Sequence, residues 1–174
     1  MRGLARGWTD DMGLRLHGVN LLNGVLPQTR MFGLRRRLLR WAGISVASDC
    51  RINGGVVFQH ANVSVGAGTW VGRRTEFVAG PGSAIFVGDN CDISQDVMFV
   101  TGSHDIGPES RRAGDGRSRA IRVGSGTWVG VRSTFLGGSS VGRGCVVGAG
   151  STVVGTFPDN VLIVGTPARI VRQL

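Results

Sequence analysis

An aliphatic or aromatic residue returns at every sixth position through the second half of this chain: Val123, Val129, Phe135, Val141, Val147 and Val153. The same beat runs upstream through Val65, Val71 and Phe77, and again through Val87, Ile93 and Phe99. Seven of these twelve residues are followed directly by glycine, and four places after most of them stands a small residue: Thr69, Thr75, Cys91, Thr127, Ser133, Ser139, Cys145 and Ser151. An amphipathic helix repeats every 3.6 residues and a half-buried strand every two, so neither produces a beat of six. Hexapeptide periodicity marks a parallel β-helix, with one short strand and one turn per hexad and three hexads to a triangular coil. The leading residue then points into the core, the small residue fills a corner, and glycine eases the turn. Coils stack at the ordinary strand spacing of about 4.8 Å. About five of them fit between Ile44 and Pro158.

The beat also explains the longest internal echo. VGAGTWVGRRTEFVAG begins at Val65, VGSGTWVGVRSTFLGG begins 58 residues later at Val123, and ten of the sixteen positions agree. This is one coil written twice. The offset is not a multiple of six because two insertions interrupt the hexads, one around Gly80-Pro81-Gly82 and one after Val100.

Composition narrows the partners. The 174 residues include 30 glycines without a three-residue period, which excludes collagen and implies many tight turns. All 20 basic residues are arginine, and the net charge is +9. Such a charge fits a nucleic acid, a membrane surface or an anionic small ligand. With no nucleic-acid reader motif or aromatic platform, nucleic acid is not expected. Three cysteines with no paired spacing imply a reducing, cytoplasmic setting, and Cys91 and Cys145 read as structural. Arg15, His17, Asn20 and Asn23 interrupt the apolar stretch in residues 1–26, which fits neither a secretory core nor a membrane span. Residues 1–43 read as a helical segment, with helices over 14–26 and 29–41 divided by Pro27 and with Thr29 as an N-cap. The second helix mixes Arg30, Arg35, Arg36, Arg37 and Arg40 with apolar residues. That pattern suits an anionic inner-membrane face or, as is commoner, an apolar side packed on the neighbouring coil.

The runs VGDNCDISQDVMFVTGSHD, IRVGSGTWVG, VVGAGSTVV and VGTPARIVR, in that order over about residues 44–172, resemble hexapeptide-repeat acyltransferases of the galactoside, maltose and exopolysaccharide O-acetyltransferase type. The resemblance implies a left-handed parallel β-helix over residues 44–174, with a protruding loop at 101–120 and a C-terminal tail. It also implies a homotrimer with active sites between neighbouring subunits and acetyl-CoA as donor. His104, in TGSHDIGP, matches the family's catalytic histidine. A hydroxyl attacks a thioester poorly until its proton is removed, and a neutral imidazole suits that removal. Trp128 matches the tryptophan lining the donor channel, where an indole gives a flat apolar wall. Arg169 and Arg172 match basic residues that meet the nucleotide phosphates. Val131 and Ala149 stand where backbone groups hold the pantetheine arm. Trp70 lacks the following donor motifs and reads as a packing residue.

On the acceptor side stand Arg74, Glu76 and Asp105. The family's acceptor asparagine is missing near Arg73-Arg74-Thr75-Glu76, and its N-terminal capping domain is not recognisable, which places the chain nearer the exopolysaccharide-modifying branch. Asp92, Asp105 and Glu76 are alternatives for orienting His104. His17 and His60 carry no motif and read as structural or solvated, and no metal site is expected. The expectation is O-acetylation of a sugar hydroxyl on a glycoconjugate, polysaccharide precursor or glycosylated natural product. Arginines 111, 112, 117 and 119 in the loop point to an anionic acceptor, to the donor phosphates or to a neighbouring subunit. Acetylation of an antibiotic or other xenobiotic is the alternative enzyme reading. A non-catalytic β-helix assembly subunit is the alternative outside enzymes, and His104 and Trp128 count against it.

Overall fold

Three hexads bring the backbone once round a triangle in the computed structural model, which describes residues 10–174. The first nine residues of the expected helical segment lie outside the described residues. The first coil comprises β1 (Ser45–Val46), β2 (Arg51–Ile52) and β3 (Val57–Phe58). The second comprises β4 (Val63–Val65), β5 (Trp70–Val71) and β6 (Glu76–Val78), and the third β7 (Ile85–Val87), β8 (Asp92–Ile93) and β9 (Met98–Val100). A protruding hairpin follows, β10 (Gly102–Ile106) and β11 (Ala113–Ser118). The fourth coil is β12 (Ile121–Val123), β13 (Trp128–Val129) and β14 (Thr134–Leu136); the fifth is β15 (Ser140–Val141), β16 (Val146–Val147) and β17 (Thr152–Val153). A partial sixth contains β18 (Thr156–Phe157) and β19 (Val161–Gly165), and β20 (Ala168–Gln173) folds back antiparallel on β19.

Corresponding strands stack into three parallel faces: β1-β4-β7-β12-β15-β18, then β2-β5-β8-β13-β16-β19, then β3-β6-β9-β14-β17. The result is the left-handed parallel β-helix of the expectation. All twelve residues on the six-residue beat are buried, as are the eight small corner residues. The corner groups also hold the next coil. Thr69 Oγ1 donates to the Gly88 carbonyl at 2.8 Å and Thr127 Oγ1 to that of Gly142 at 3.0 Å. Cys91 and Cys145 take the same corner position, their thiols directed at the carbonyls of Gly124 and Pro158 at 3.3 and 3.2 Å. The doubled stretch forms the second and fourth coils. Trp70 and Trp128 fall in one column on the second face, with Asp92 between them.

The glycines that follow the beat are needed for a different reason than turning. Left-handed backbone is found elsewhere, for example at Gly68, Gly126 and Gly144. At Gly66, Gly72, Gly88, Gly124, Gly130 and Gly142 a Cβ would lie within 2.6 Å of the next coil's backbone. These residues let coils touch.

The N-terminal helices are α1 (Asp10–Val25) and α2 (Phe32–Trp41). The second begins later than expected: its N-cap is Met31, in left-handed conformation, and not Thr29. The cause is Arg35. This side chain is buried at 1% exposure, and its guanidinium donates to the carbonyls of Pro27, Arg30 and Ile52 and to Asn23 Oδ1. That clamp tightens residues 27–31 into a turn. Arg36 and Arg40 bind the carbonyls of Cys50 and Val46, both at 2.9 Å. Three of the five arginines thus serve the first coil, which supports the packed placement of α2. Asn20 completes the cap by donating to the Phe58 carbonyl at 2.8 Å and accepting from the Phe58 N–H at 3.2 Å. It does for the first coil's open edge what another strand would do. Among the described residues no helix is long and apolar enough to cross a membrane.

Gly124→Ala and Gly82→Ala separate the two uses of glycine. A Cβ at Gly124 meets Gly142 backbone at 2.4 Å, whereas one at Gly82 meets nothing within 4 Å and only opposes a φ of 71°. Chemical denaturation should show a loss above about 2 kcal/mol for Gly124→Ala and about 1 kcal/mol for Gly82→Ala. Equal losses would contradict the contact argument.

Candidate active site

The segment after β9 leaves the hexads because its residues cannot fill the core: all five residues of β10 are exposed. It pairs with β11 instead, so the expected polar loop is an antiparallel hairpin, with Ser103 opposite Arg117 and His104 opposite Gly116. His104 Nδ1 lies 2.9 Å from the Gly114 carbonyl. A carbonyl oxygen only accepts, so Nδ1 carries the proton and donates it, and neutral imidazole presents an unprotonated Nε2. Within the chain, this backbone carbonyl is the group that holds the ring. Within the same chain, Asp105 pairs with Arg117 at 2.8 Å, while Asp92 and Glu76 sit on the second and third faces. Two grooves meet at His104, one lined by Gly80, Pro81 and Arg117, the other by Pro108, Arg111 and Asp115.

The residues expected to meet the donor gather on the second face and the corner after it. Trp128 is 56% exposed, and from it the cross-strand column continues through Val146 and Leu162 to Arg172. Val131 and Ala149 occupy equivalent turns one coil apart, where the Gly150 N–H donates to the Val131 carbonyl at 2.8 Å. Arg169, opposite Val164, is exposed at the start of β20. The two grooves at His104 contain none of these five residues. One chain therefore carries the two halves on different parts of its surface.

The acceptor-side expectations scatter. Arg74 forms a two-pronged ion pair with Asp96, at 2.5 and 2.8 Å, and the guanidinium holds the Asp96 carboxyl below the usual range. Glu76 lies on the outside of β6, between Val57 and Met98. Arg73, which the sequence reading passed over, lines a groove of about 340 Å³ with Gln28, Asn53, Trp70, Gln95 and Val131. Its signal was its hexad position, equivalent to those of Gln95 and Val131 in later coils. Trp70 packs edge-on against Phe32, with ring centroids 5.9 Å apart. His17 and His60 line one groove beside Asn20 and Gln59, and burial pushes His60 down from its ordinary pKa. Among the described residues no three metal-ligating side chains cluster.

Fold and site arrangement define a left-handed β-helix protein with an outward histidine hairpin. No protein-family model matches the chain. It is 30% identical over 117 residues to a galactoside O-acetyltransferase of Lactococcus lactis subsp. lactis (strain IL1403), an overlap of 67% of this chain and 56% of that protein. To the galactoside O-acetyltransferase of Escherichia coli (strain K12) it is 26% identical over 141 residues, 80% of this chain and 68% of that one. A galactoside acetyltransferase solved in complex with coenzyme A superposes with a TM-score of 0.81 at 23% identity, covering 94% of this chain and 80% of the other. The chain spans a little over half the length of the first of these relatives. The chain shares the fold of these hexapeptide-repeat acetyltransferases and is similar to them in sequence.

Asp105→Asn checks the orienting role. With Gly114 fixing the tautomer, the variant should keep kcat at saturating acceptor within about threefold, since exposed ion pairs contribute under about 1 kcal/mol. A loss near a hundredfold would make Asp105 the orienting group.

Proposed function

We propose that the protein transfers an acetyl group from acetyl-CoA to a sugar hydroxyl, with His104 as general base. The observation that carries this reading is the His104 imidazole, held by Gly114 with Nε2 open, on a chain similar to galactoside O-acetyltransferases. In this mechanism Nε2 takes the hydroxyl proton as the acceptor oxygen attacks the thioester carbonyl. When the carbon–sulfur bond breaks, the imidazolium returns that proton to the departing thiolate. No acyl-enzyme is required.

The donor side has the chemistry for CoA. Trp128 offers an exposed indole to the pantetheine arm, and the Val131 and Ala149 turns offer backbone polar groups beside it. Arg172 ends the same column three strands away, about 14 Å by strand spacing, and with Arg169 gives two guanidiniums for the phosphates.

Because His104 and this donor wall lie apart in one chain, the reading places each site between neighbouring copies of a homotrimer. Exposed apolar residues near the hairpin support such contacts: Met98, Leu136 and Val154 along the third face and Ile106, 90% exposed, on the hairpin itself. The acceptor proposed is a glycosyl hydroxyl on a glycoconjugate, polysaccharide precursor or glycosylated natural product.

His104→Ala should lower acetyl transfer by about 10²–10⁴-fold with assembly and CoA binding intact. The check is thiol release across sugars, amines and antibiotics, with product masses. A variant keeping half its rate would remove His104 from the chemistry. Acetylated amines or antibiotics without sugar product would reassign the acceptor.

A further inference from the structure

Equivalent turns on successive coils line up at the corner between the second and third faces. Asp96 N–H donates to the Arg73 carbonyl, Arg132 N–H to that of Gln95, and Gly150 N–H to that of Val131. Two parallel rows result: Arg73–Gln95–Val131–Ala149, and beside it Arg74–Asp96–Arg132–Gly150. Arg74, Asp96 and Arg132 all adopt left-handed backbone, with φ of 57°, 57° and 59°, so each holds the same place in its turn. Three guanidiniums, of Arg73, Arg74 and Arg132, therefore stand around one carboxylate. Asp96 is committed to Arg74 by two hydrogen bonds.

The groove along this corner leaves polar chemistry unspent. It is lined by Gln28, Asn53, Trp70, Arg73, Gln95 and Val131 among others, with no carboxylate in its lining. Three buried side-chain polar atoms have no hydrogen-bond partner among the described residues, and two belong here: Arg73 Nε and Asn53 Oδ1. Buried groups of this kind are normally satisfied, by protein, water or ligand. Arg73 Nε–H is a cationic donor that calls for an anionic oxygen. Asn53 Oδ1 is an acceptor that calls for a hydroxyl. Trp70 adds an indole, half-buried and fixed by Phe32, of the kind on which a sugar ring packs. Arg73 is already aimed by its 3.2 Å bond from Nη1 to Gln28 Oε1. Gly72 keeps the floor low, since any side chain there would strike Ser94 and Gln95 backbone.

We propose that this groove is the acceptor subsite and that it selects a sugar carrying an anionic group, a carboxylate or a phosphate, bound by Arg73 with a neighbouring hydroxyl on Asn53. The inference rests on the acetyl-transfer reading in one respect: Val131 joins this groove to the donor corner, so the bound sugar lies at the acyl end of the channel. Arg73 is a specificity-determining residue, whereas Arg74 serves only to hold Asp96.

The test is calorimetric binding to the full protein, independent of turnover. The probes are methyl glucuronide, glucose 6-phosphate and neutral methyl glucoside, each at low and high salt. The anionic sugars should bind at least about tenfold more tightly than the neutral one, with a preference that shrinks in salt. Arg73→Gln should abolish that preference, and Arg37→Gln, which removes an exposed arginine elsewhere, should leave it. The tighter of the two anionic probes identifies the group recognised. Equal binding of neutral and anionic sugars, no binding of any, or an undiminished preference in Arg73→Gln would each overturn the proposal. If the anionic sugars bind as expected but no acceptor is acetylated, the acetyl-transfer reading fails and the subsite stands.

Discussion

Four phenylalanine rings stacked inside the third face set the pitch on which everything else depends. Phe58, Phe77, Phe99 and Phe135 follow one another at centroid distances of 4.9, 5.0 and 4.8 Å, the first two pairs nearly parallel. That is the distance between hydrogen-bonded strands, so ring stacking and backbone pairing reinforce one repeat. The glycines impose the same spacing from the outside: at Gly72, Gly124 and Gly130 only a hydrogen fits between coils. A scaffold with its pitch fixed from both sides holds outward residues of successive coils in straight columns.

Those columns carry the proposed chemistry. Trp128 and Arg172 share one, Val131 and Ala149 another, and Arg73 belongs to the second through Gln95. Nothing in the inward pattern constrains these outward residues, so they are free to differ while the coil persists. The second and fourth coils show this directly. They share ten of sixteen residues, yet Trp70 packs on Phe32 while Trp128 stays open. The helical cap protects the other end of the stack. Asn20 and Arg35 satisfy strand and loop groups that the first coil would otherwise leave bare.

How much of this was legible in the sequence follows from how local each cause is. The inward beat is local, and every core and corner residue read from it is buried. Glycine's purpose was misread, because the atoms that exclude a Cβ lie a full coil away in the chain. Arg35 was counted with a basic helix face, since composition does not reveal which arginine turns inward. His104 was visible through its motif, but its hydrogen-bond partner in the chain is the Gly114 carbonyl, a group that every residue type carries. Arg73 was overlooked in favour of Arg74, although aligning the hexads puts Arg73 in the row of Gln95, Val131 and Ala149.

The central claim is that catalysis needs His104 from one copy and the Trp128 wall from another. Mixed assembly tests it most directly. His104→Ala and Trp128→Ala proteins, each inactive alone, would be unfolded together, reassembled at equal ratio and assayed, with mixed oligomers verified by intact mass. In a cyclic trimer with shared sites, random mixing restores about a quarter of the sites, so activity should rise to about a quarter of the wild-type rate. Mixed trimers that stay as inactive as either parent would contradict the account.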